Sequence, residues 1–549
     1  MKNKRNIFIA IISIVTSQLA FAGSATWNMT PSSGDWANPA NWTPGTVPNS
    51  PTDIATFAAS SQTNVQVRYI IEVDSVVFQP GASPFTLSEQ LPSNHNPTLS
   101  FYGAGVVNNS GIIQNFVLEK TEAFTPIKFM KFNNSAAAGV LTSFIIGGAN
   151  TLYFYDTSSA ASGNFVVDGN DSSTGGSISF ADHATADNAT IVANSVPNRA
   201  GGVGFSGHAT AGYATITAND VASGPGATIG FGDEASADHA TLIANGTIGS
   251  HTSGSSIGFG RSTTAAQATI IVNGNSAKKD GEAPDFTAAH CSFQNRDGGT
   301  ARVELFGDGY MDISYSPVGL AIGSLEGDGI VYLGADPLSI GTNNLSTTFS
   351  GQIHDLGQNG GRGGSITKVG TGTLILNGAS DYTGNTTILD GFLRVDNRTG
   401  SAIGTGVLQV SAGTLGGGGI ISGNVTVGTG SGAGAFIAPG SGSTTLTIQT
   451  AVTFKADGTY IWRVRSGAKS DRLVANGITI ESGAQITGLG RARLTTGTVF
   501  TAINNTSANP ISGTFANLPD GGTLAIGNNT FQANYEGGDG NDLTLTVVP

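Results

Sequence analysis

Histidine and acidic side chains recur at a nearly fixed spacing in the middle of the chain. His183 and His208 are 25 residues apart, and Glu234 follows 26 residues later. Asp182 and Asp233 directly precede two of these residues. Imidazole nitrogens and carboxylate oxygens ligate metals and transfer protons, so these side chains could form a shallow metal-binding or acid–base patch. The residue type changes from copy to copy, however, which is typical of solvated turns. We therefore predict turn positions here, and no metal, cofactor or catalytic residue.

A polysaccharide-degrading enzyme would need a more specific arrangement. It requires paired carboxylates across a groove, or a calcium cluster beside a basic residue. The sequence offers two acidic pairs and two nearby arginines: Asp168 with Asp171, Asp182 with Asp187, Arg199 and Arg261. These groups are too few to favour an enzyme. Three or more carboxylates and a basic residue on one concave face would reverse that preference.

The segment that carries these residues is a tandem repeat. Four copies align: GGSISFADHATADNATIVAN, GGVGFSGHATAGYATITAN, GATIGFGDEASADHATLIAN and GSSIGFGRSTTAAQATIIVN. Their landmark phenylalanines, Phe180, Phe205, Phe231 and Phe259, are spaced 25, 26 and 28 residues apart. A degenerate copy starts at Phe154, and another runs from Phe293 to Gly307. Repeats of this length are units that bury one face by stacking on their neighbours.

Each repeat contains two short strand patterns. An apolar residue lies two positions before each landmark, as Ile178 does before Phe180, and a second pattern such as Thr190-Ile191 follows ten to eleven positions after it. Neither strand could form a hairpin with its own core. Stacked coils would instead pair each strand with its copy about 4.8 Å away. The sequence therefore predicts an all-β fold that contains a parallel β-solenoid over residues 151–307.

An asparagine stands fourteen residues after each landmark. These are Asn194, Asn219, Asn245 and Asn273. Asparagine tolerates the left-handed backbone of a tight corner, and stacked side-chain amides can bond along a column. We predict that these asparagines form a structural column, with left-handed backbones at tight corners and side-chain amides that bond from coil to coil.

Composition agrees with a repetitive β protein. Of 549 residues, 80 are glycine and 11% are charged, against a usual charged share of about 25%. These values exclude a coiled coil and a charged disordered chain, and the glycines lack the period of collagen. The net charge of −13, with scattered basic residues, argues against nucleic-acid binding.

The N-terminus has the pattern of a secretory signal peptide. Basic residues precede an apolar run over residues 7–15, and Ala20-Phe21-Ala22 fits a cleavage site. We predict cleavage near Ala22, export of the chain from residue 23, and no membrane span in the mature protein.

A segment in the C-terminal half resembles a known repeat. Residues 364–377 read GSITKVGTGTLILN, residues 381–387 read DYTGNTT, and residues 391–393 read GFL. This segment is similar to the autotransporter-associated β-strand repeat, also called the passenger-associated transport repeat. That repeat has the pattern K-x-G-x-G-T-L-x-L, then xYTG-x-T, then G-x-L. We assign it to about residues 364–396.

The resemblance implies an extracellular right-handed parallel β-helix from a diderm bacterium, in which the repeat assists export and folding. It implies no catalytic residue. Autotransporters also carry a C-terminal outer-membrane barrel, and residues 543–549 (LTLTVVP) end the sequence without a series of such strands. We therefore expect another export route, a relative without the barrel, or a fragment. We expect a secreted or cell-surface structural or adhesive protein whose partners are surface glycans or other surface proteins. The alternative is a polysaccharide lyase or glycoside hydrolase.

Three tryptophans near the N-terminus, Trp27, Trp36 and Trp42, also resemble the start of such secreted proteins. They could stack on a sugar, but we favour a packed plug that covers the first coil, since solenoid ends need a cap. The expected organisation is a signal peptide (1–22), a cap with the first coils (23–150), the repeat array (151–307) and C-terminal coils (308–549).

Overall fold

A computed structural model describes residues 23–89, 96–120, 127–170, 174–247, 253–275, 286–294, 297–432, 434–440, 445–466 and 469–549. The regular secondary structure in these ranges is β-strand, apart from one 3-10 turn at Pro39–Asn41. No helix in the same ranges is long and apolar enough to cross a membrane. The predicted signal peptide and Asp171 lie outside the described residues.

Short strands succeed one another along the described chain. The strands before the repeat array are β1 (Ala25–Trp27), β2 (Trp42–Thr43), β3 (Ile54–Phe57), β4 (Asn64–Val67), β5 (Ile70–Phe78), β6 (Thr86–Glu89), β7 (Thr98–Asn108), β8 (Gln114–Leu118), β9 (Phe129–Phe132) and β10 (Thr142–Ile146). The strands of the array are β11 (Thr151–Phe154), β12 (Asn164–Val167), β13 (Ser177–Phe180), β14 (Thr190–Ala193), β15 (Gly202–Phe205), β16 (Thr215–Asn219), β17 (Thr228–Phe231), β18 (Thr241–Asn245), β19 (Ser256–Phe259), β20 (Thr269–Asn273), β21 (His290–Phe293) and β22 (Arg302–Phe306).

The strands after the array complete the described structure. They are β23 (Tyr310–Asp312), β24 (Leu320–Ile322), β25 (Ser324–Gly327), β26 (Ile330–Tyr332), β27 (Pro337–Ile340), β28 (Thr347–Phe349), β29 (Gln352–His354), β30 (Ser365–Lys368), β31 (Thr373–Leu376), β32 (Thr386–Ile388), β33 (Phe392–Val395), β34 (Leu408–Val410), β35 (Gly413–Gly417), β36 (Ile420–Ile421), β37 (Val425–Val427), β38 (Ala435–Pro439), β39 (Thr445–Ile448), β40 (Val452–Phe454), β41 (Gly458–Arg465), β42 (Lys469–Ser470), β43 (Arg472–Ala475), β44 (Ile478–Ile480), β45 (Gln485–Leu489), β46 (Val499–Asn505), β47 (Thr523–Ile526), β48 (Asn529–Gly537) and β49 (Asp542–Val548).

Successive coils supply neighbouring strands of long parallel sheets. Sheet 1 runs β2-β1-β3-β5-β7-β9-β11-β13-β15-β17-β19-β21-β23-β26-β29. Sheet 2 runs from β4 through β6, β8 and the even-numbered strands of the array, and continues from β22 to β25. Sheet 3 starts at β24 and runs to β44, and sheet 4 ends in the antiparallel strands β46, β49, β48 and β47. The predicted β-solenoid is confirmed, and it extends beyond the repeat array.

Equivalent residues of successive repeats pair in register. Phe180 pairs with Phe205 in sheet 1, and Ile191 pairs with Ile216 in sheet 2. The landmark rings from Phe154 to Phe293 form one buried stack, with centroids 4.7–4.9 Å apart and planes within 7° of parallel. Each such ring pair adds about 1 kcal/mol beyond its buried area. Residues at equivalent positions of the sequence repeat are therefore the residues that stack on one another in the fold.

Alanines fill the inside of the corner between sheets 1 and 2. Ala184, Ala186 and Ala189, and their equivalents in the next two coils, are at most 1% exposed. Between them, Thr185, Thr210, Ser236 and Thr264 form a ladder of single parallel bridges on the outer side. The equivalent of Ala184 is Ser158 in one coil and Thr263 in another, and both are buried, so the inside of this corner is filled by small side chains, mostly alanine.

The asparagine column is a ladder of side-chain amides. Each Nδ2 donates to the Oδ1 of the preceding coil, at 3.0 Å from Asn219 to Asn194, 3.0 Å from Asn245 to Asn219 and 2.8 Å from Asn273 to Asn245. Asn194 in turn donates to the Asp168 carboxylate at 3.1 Å. The predicted amide column is confirmed. The predicted left-handed backbone is wrong, because none of these asparagines has a positive φ, and three of them end strands of sheet 2.

The coil becomes shorter after the array. Paired residues of sheet 1 are 34 residues apart from Ile257 to Cys291, but only 20 from Cys291 to Met311 and 20 again to Val331. At the same level the corner ladder widens into sheet 3, because Asp297 bridges to Ala321 in β24. The cross-section of the solenoid therefore changes at this level.

The three N-terminal tryptophans are buried. Trp27, Trp36 and Trp42 are at most 2% exposed, and all three pack against Phe57. Their faces are thus unavailable for stacking on a sugar. Strand β2 pairs antiparallel to β1 at the end of sheet 1. That this region caps the first coil stays a prediction.

Replacing Asn219 with alanine tests the amide ladder. The change removes the bond to Asn194 and leaves the Asn245 amide without its acceptor. We expect a local loss of about 1–2 kcal/mol, measured by amide hydrogen exchange in β16 and β18. Asn188→Ala is the control, because Asn188 is exposed and its side-chain amide donates to the adjacent Asp187 rather than to another coil. Equal protection in both variants would show that the ladder contributes nothing.

Candidate functional site

The histidines singled out in the sequence do form a column on the outside of the solenoid. The rings of His183 and His208 are 5.0 Å apart, and His208 Nδ1 is 3.2 Å from a Glu234 carboxylate oxygen. The side chains of His208 and Glu234 are more than half exposed. The three side chains therefore make a solvated ladder along adjacent coils.

The neighbouring aspartates have a structural role in the turns. Asp182 and Asp233 have left-handed backbones, with φ of 56° and 52°, and Gly207 occupies the same position between them. Their carboxylates each accept a backbone N–H from the coil before, from Asp156 to Asp182 at 3.0 Å and from Gly207 to Asp233 at 3.1 Å. These positions are turns, as predicted, and the left-handed conformation explains why aspartate and glycine alternate there.

No group of three or more His, Cys, Asp or Glu side chains is placed to hold a metal ion in the part of the chain that the structure describes. The histidine column offers two rings and one carboxylate in a line, and the aspartates beside it are bonded to backbone. The expectation that His183, His208, Glu234, Asp182 and Asp233 bind no metal stays a prediction.

The other acidic pairs are also held by local bonds. Asp168 accepts the Asn194 amide at the end of the asparagine ladder. The Asp187 carboxylate accepts the Asn188 amide at 2.6 Å and the Ser159 hydroxyl at 3.3 Å. These carboxylates therefore support turns and ladders of the solenoid.

A groove of about 1110 Å³ lies where the repeat array ends. This volume slightly exceeds the usual range for ligand sites, about 300–1,000 Å³. Residues that follow five successive strands of sheet 1 (β17, β19, β21, β23 and β26) contribute to it, together with the glycine-rich segment 355–364. Its lining consists of Glu234, Arg261, Ser262, Thr263, Thr264, Gln294, Asp297, Ser314, Tyr315, Pro317, Val318, Ala335, Asp336, Asn359, Gly360 and Gly361. We call this site the junction groove.

The wall of the junction groove is a loop fixed by buried hydrogen bonds. Asp312, which is fully buried, accepts the backbone N–H groups of Ser314 and Gln358, both at 2.8 Å. The backbone N–H of Asn359 donates to Ser314 Oγ at 3.0 Å, and its side-chain amide donates to Ser314 O at 2.8 Å. Gly360 has a φ of 71°, which favours glycine. The loop thus reaches back over two coils, and its position is set before any ligand arrives.

The junction groove brings three carboxylates and one guanidinium to the same concave face. Asp336 is buried, and this burial raises the pKa of its carboxyl. A hydrogen bond from the Ser316 backbone lowers that pKa, and the nearby Asp312 carboxylate raises it. Glu234 faces His208, and Asp297 accepts the Gly299 N–H at 2.8 Å. The composition of the lining therefore meets the condition set above for reconsidering an enzyme.

Only part of this groove was predictable from the sequence. Glu234 and Arg261 belong to the repeat columns and were considered above, whereas Asp297, Tyr315 and Asp336 were missed. Those three come from coils whose spacing departs from the repeat. The usable signals were the shortened period after Phe293 and the run of glycines over 357–364.

The resemblance to a transport repeat rests on residues that hold turns. Lys368 is 1% exposed, and its ammonium donates to the carbonyls of Val369 at 2.6 Å and Gly370 at 2.7 Å. Burial lowers the pKa of Lys368. Tyr382 is fully buried with its hydroxyl 2.6 Å from Thr386 Oγ1, and the Asp355 carboxylate accepts Thr383 Oγ1 at 2.6 Å. The lysine and tyrosine of the pattern are therefore internal supports of this coil.

Comparisons with known proteins agree with this assignment. The model of a family described as Passenger-associated-transport-repeat matches residues 366–395, which confirms the resemblance. The chain is 36% identical over 99 residues to the adhesin BmaC autotransporter of Brucella suis biovar 1 (strain 1330), a match that covers 18% of this chain and 3% of that protein. The chain therefore spans a very small part of this relative's length.

Solved structures were also compared with the chain. The crystal structure of the Haemophilus influenzae Hap adhesin aligns at 11% identity over 90% of this chain and 64% of that chain, with a TM-score of 0.21. A TM-score this low supports no conclusion about fold or function.

Replacing Asp336 with asparagine tests the environment of that carboxyl. Because its folded-state pKa is raised, the native state binds the proton more tightly than the unfolded state. The wild type therefore loses stability as the pH rises from about 4 through the folded-state pKa, and the variant avoids that loss. We expect the stability of Asp336→Asn relative to wild type to increase with pH in denaturation experiments. Asp539→Asn, at an exposed position, is the control. A pH-independent difference at Asp336 would contradict the assignment.

Replacing Lys368 with methionine tests the transport-repeat lysine. The Val369 and Gly370 carbonyls lose a charged donor, and we expect a loss of about 2 kcal/mol in the C-terminal coils, measured by denaturation. Lys455→Met is the matched control, since Lys455 is over one-third exposed and pairs with Glu481. That exposed pair contributes at most about 1 kcal/mol. Equal losses in the two variants would exclude a special role for Lys368.

Proposed function

We propose that this protein is a secreted or cell-surface adhesive passenger without enzymatic activity. The single observation that carries the proposal is the passenger-associated transport repeat at residues 366–395, embedded in a continuous parallel β-solenoid. A segment similar to a protein named as an autotransporter adhesin supports the same function. Because that match covers 3% of the relative, adhesion by this chain is our proposal.

The physical character of the solenoid supports a presenting role. Its coils are held by internal ladders, so the outward turn positions are free to vary without loss of the fold. His208, Tyr213 and Arg261 illustrate that variation at exposed corners. A stable rod with variable turns is suited to contact surface glycans or other surface proteins, and we propose no cofactor.

We further propose how the chain is organised and located. Cleavage near Ala22 would release a mature chain with a cap and first coils over 23–150, the repeat array over 151–307 and C-terminal coils over 308–549. Its site of action would be the extracellular space or outer surface of a diderm bacterium. The transport repeat supports this location, since passengers are exported proteins.

Deleting the coding sequence tests the adhesive function. We expect severalfold weaker attachment of the bacteria to cells and to glycan-coated surfaces, restored by complementation, and cleavage of the protein when intact bacteria are treated with protease. Deletion of an unrelated secreted protein is the control. Undiminished attachment by the deletion strain, or a protein that protease reaches only after lysis, would contradict the proposal.

The junction groove favours one alternative, a polysaccharide-active enzyme. Glu234, Asp297 and Asp336 line it together with Arg261. Glycoside hydrolysis requires a pair of carboxylates at a set separation. Here Glu234 is paired with His208 and Asp297 with a backbone N–H, which is why we place adhesion first. Release of new reducing ends or unsaturated products from polysaccharides by the purified chain, abolished by Asp336→Asn, would reverse that order.

A further inference from the structure

We infer that the junction groove binds a neutral oligosaccharide, with Tyr315 as the platform for a sugar ring and Arg261 and Gln294 as hydrogen-bond donors to its hydroxyls. This inference deepens the proposed adhesive function and rests on it for the biological setting. It names the ligand class and the residues that would select that class.

The first support is the state of the polar side chains in the groove. Along the array, polar side chains bond to their equivalents in neighbouring coils, as Asn219 does with Asn194 and Asn245. Arg261 and Gln294, which follow strands β19 and β21 of sheet 1, have no side-chain hydrogen bond or ion pair within the described ranges, and both are exposed. Their donors are therefore available to a ligand.

The second support is apolar surface beside these donors. Tyr315 is 38% exposed and Val318 is 50% exposed, and Pro317 lies between them in the same loop. A pyranose ring presents a C–H face, which packs on an aromatic ring, and a rim of hydroxyls, which both donate and accept hydrogen bonds. Tyr315 supplies the first surface, and the guanidinium, amide and carboxylate groups around it supply donors and acceptors.

Charge selects a neutral ligand. Among the described residues, three carboxylates and one guanidinium line the groove, and the chain carries a net charge of −13, so an acidic polysaccharide would be repelled. A cationic peptide is disfavoured for a different reason. Glu234 already faces His208, Asp297 accepts a backbone N–H, and Arg261 stands among them as a repelling charge.

The groove is also rigid enough to bind without a large ordering cost. Its loop wall is fixed through Asp312 and Ser314, and Gln358 Nε2 donates to the Tyr310 hydroxyl at 2.7 Å. Preorganised sites lose less conformational entropy on binding. A short, shape-specific ligand therefore fits this site better than a long flexible one.

The test measures binding of the purified full chain to neutral hexose oligosaccharides on a glycan array and by calorimetry, with uronate-containing oligosaccharides and a lysine-rich peptide as parallel probes. We expect binding of at least one neutral oligosaccharide and about tenfold weaker binding by Tyr315→Ala and by Arg261→Ala. Tyr213→Ala and Arg199→Ala are matched controls, since Tyr213 is 63% exposed and Arg199 is an exposed arginine, both outside the groove. Melting curves of all four variants confirm that each is folded.

Each other outcome overturns the inference. No binding of neutral sugars, equal binding by Tyr315→Ala and wild type, or a preference for the acidic probe would do so, and groove-dependent binding of the peptide would assign a cationic protein partner instead. The attachment assay separates this inference from the proposed function. If the deletion strain attaches poorly but bacteria carrying Tyr315→Ala attach normally, the groove assignment fails and adhesion stands. If the chain binds sugar through Tyr315 while deletion leaves attachment unchanged, adhesion fails and the groove assignment stands.

Discussion

In-register stacking of parallel coils is the constraint on which the structure depends. In the strands of the array, a side chain lies next to its equivalent in the coils above and below, about 4.8 Å away. A residue type is therefore tolerated only if it packs well against itself. Phenylalanine does so through parallel rings, as from Phe180 to Phe205, and asparagine does so because its amide is both donor and acceptor. Small side chains, mostly alanine, fill the inside of the corner between sheets 1 and 2.

The same constraint accounts for the low charge of the chain. Like charges directly above one another would repel at this distance. At two corner positions glycine separates the aspartates of the outer coils, with Gly207 between Asp182 and Asp233 and Gly212 between Asp187 and Asp238. Elsewhere, charged groups of opposite sign meet between coils, as His208 and Glu234 do when the histidine is protonated. Most of the polar surface is consequently made of uncharged threonine, serine and asparagine.

The sequence was informative wherever the period was regular. Phe154 to Phe293 and the asparagine column could be placed because identical residues recur, and both form the stacks that the period predicted. The left-handed backbone assigned to the asparagines was wrong, because φ depends on where a strand ends, which residue type alone does not determine. The positive φ values belong instead to positions such as Asp182 and Asp187. The junction groove could not be predicted from the sequence, because Tyr315 and Asp336 belong to coils whose length differs from that of the repeat containing Arg261.

The break in the register is also the place where polar groups become available. In a regular coil, a corner side chain finds its partner in the next coil, so its hydrogen-bonding capacity serves the fold. Arg261 stands where the earlier coils have Asp182, Gly207 and Asp233, yet its backbone is not left-handed. Just beyond this coil the corner ladder widens into sheet 3 at β24, so the surroundings of Arg261 differ from those of the earlier corners. A solenoid thus acquires a site where its repetition ends, since donors, carboxylates and an aromatic ring from unlike coils face one cavity there.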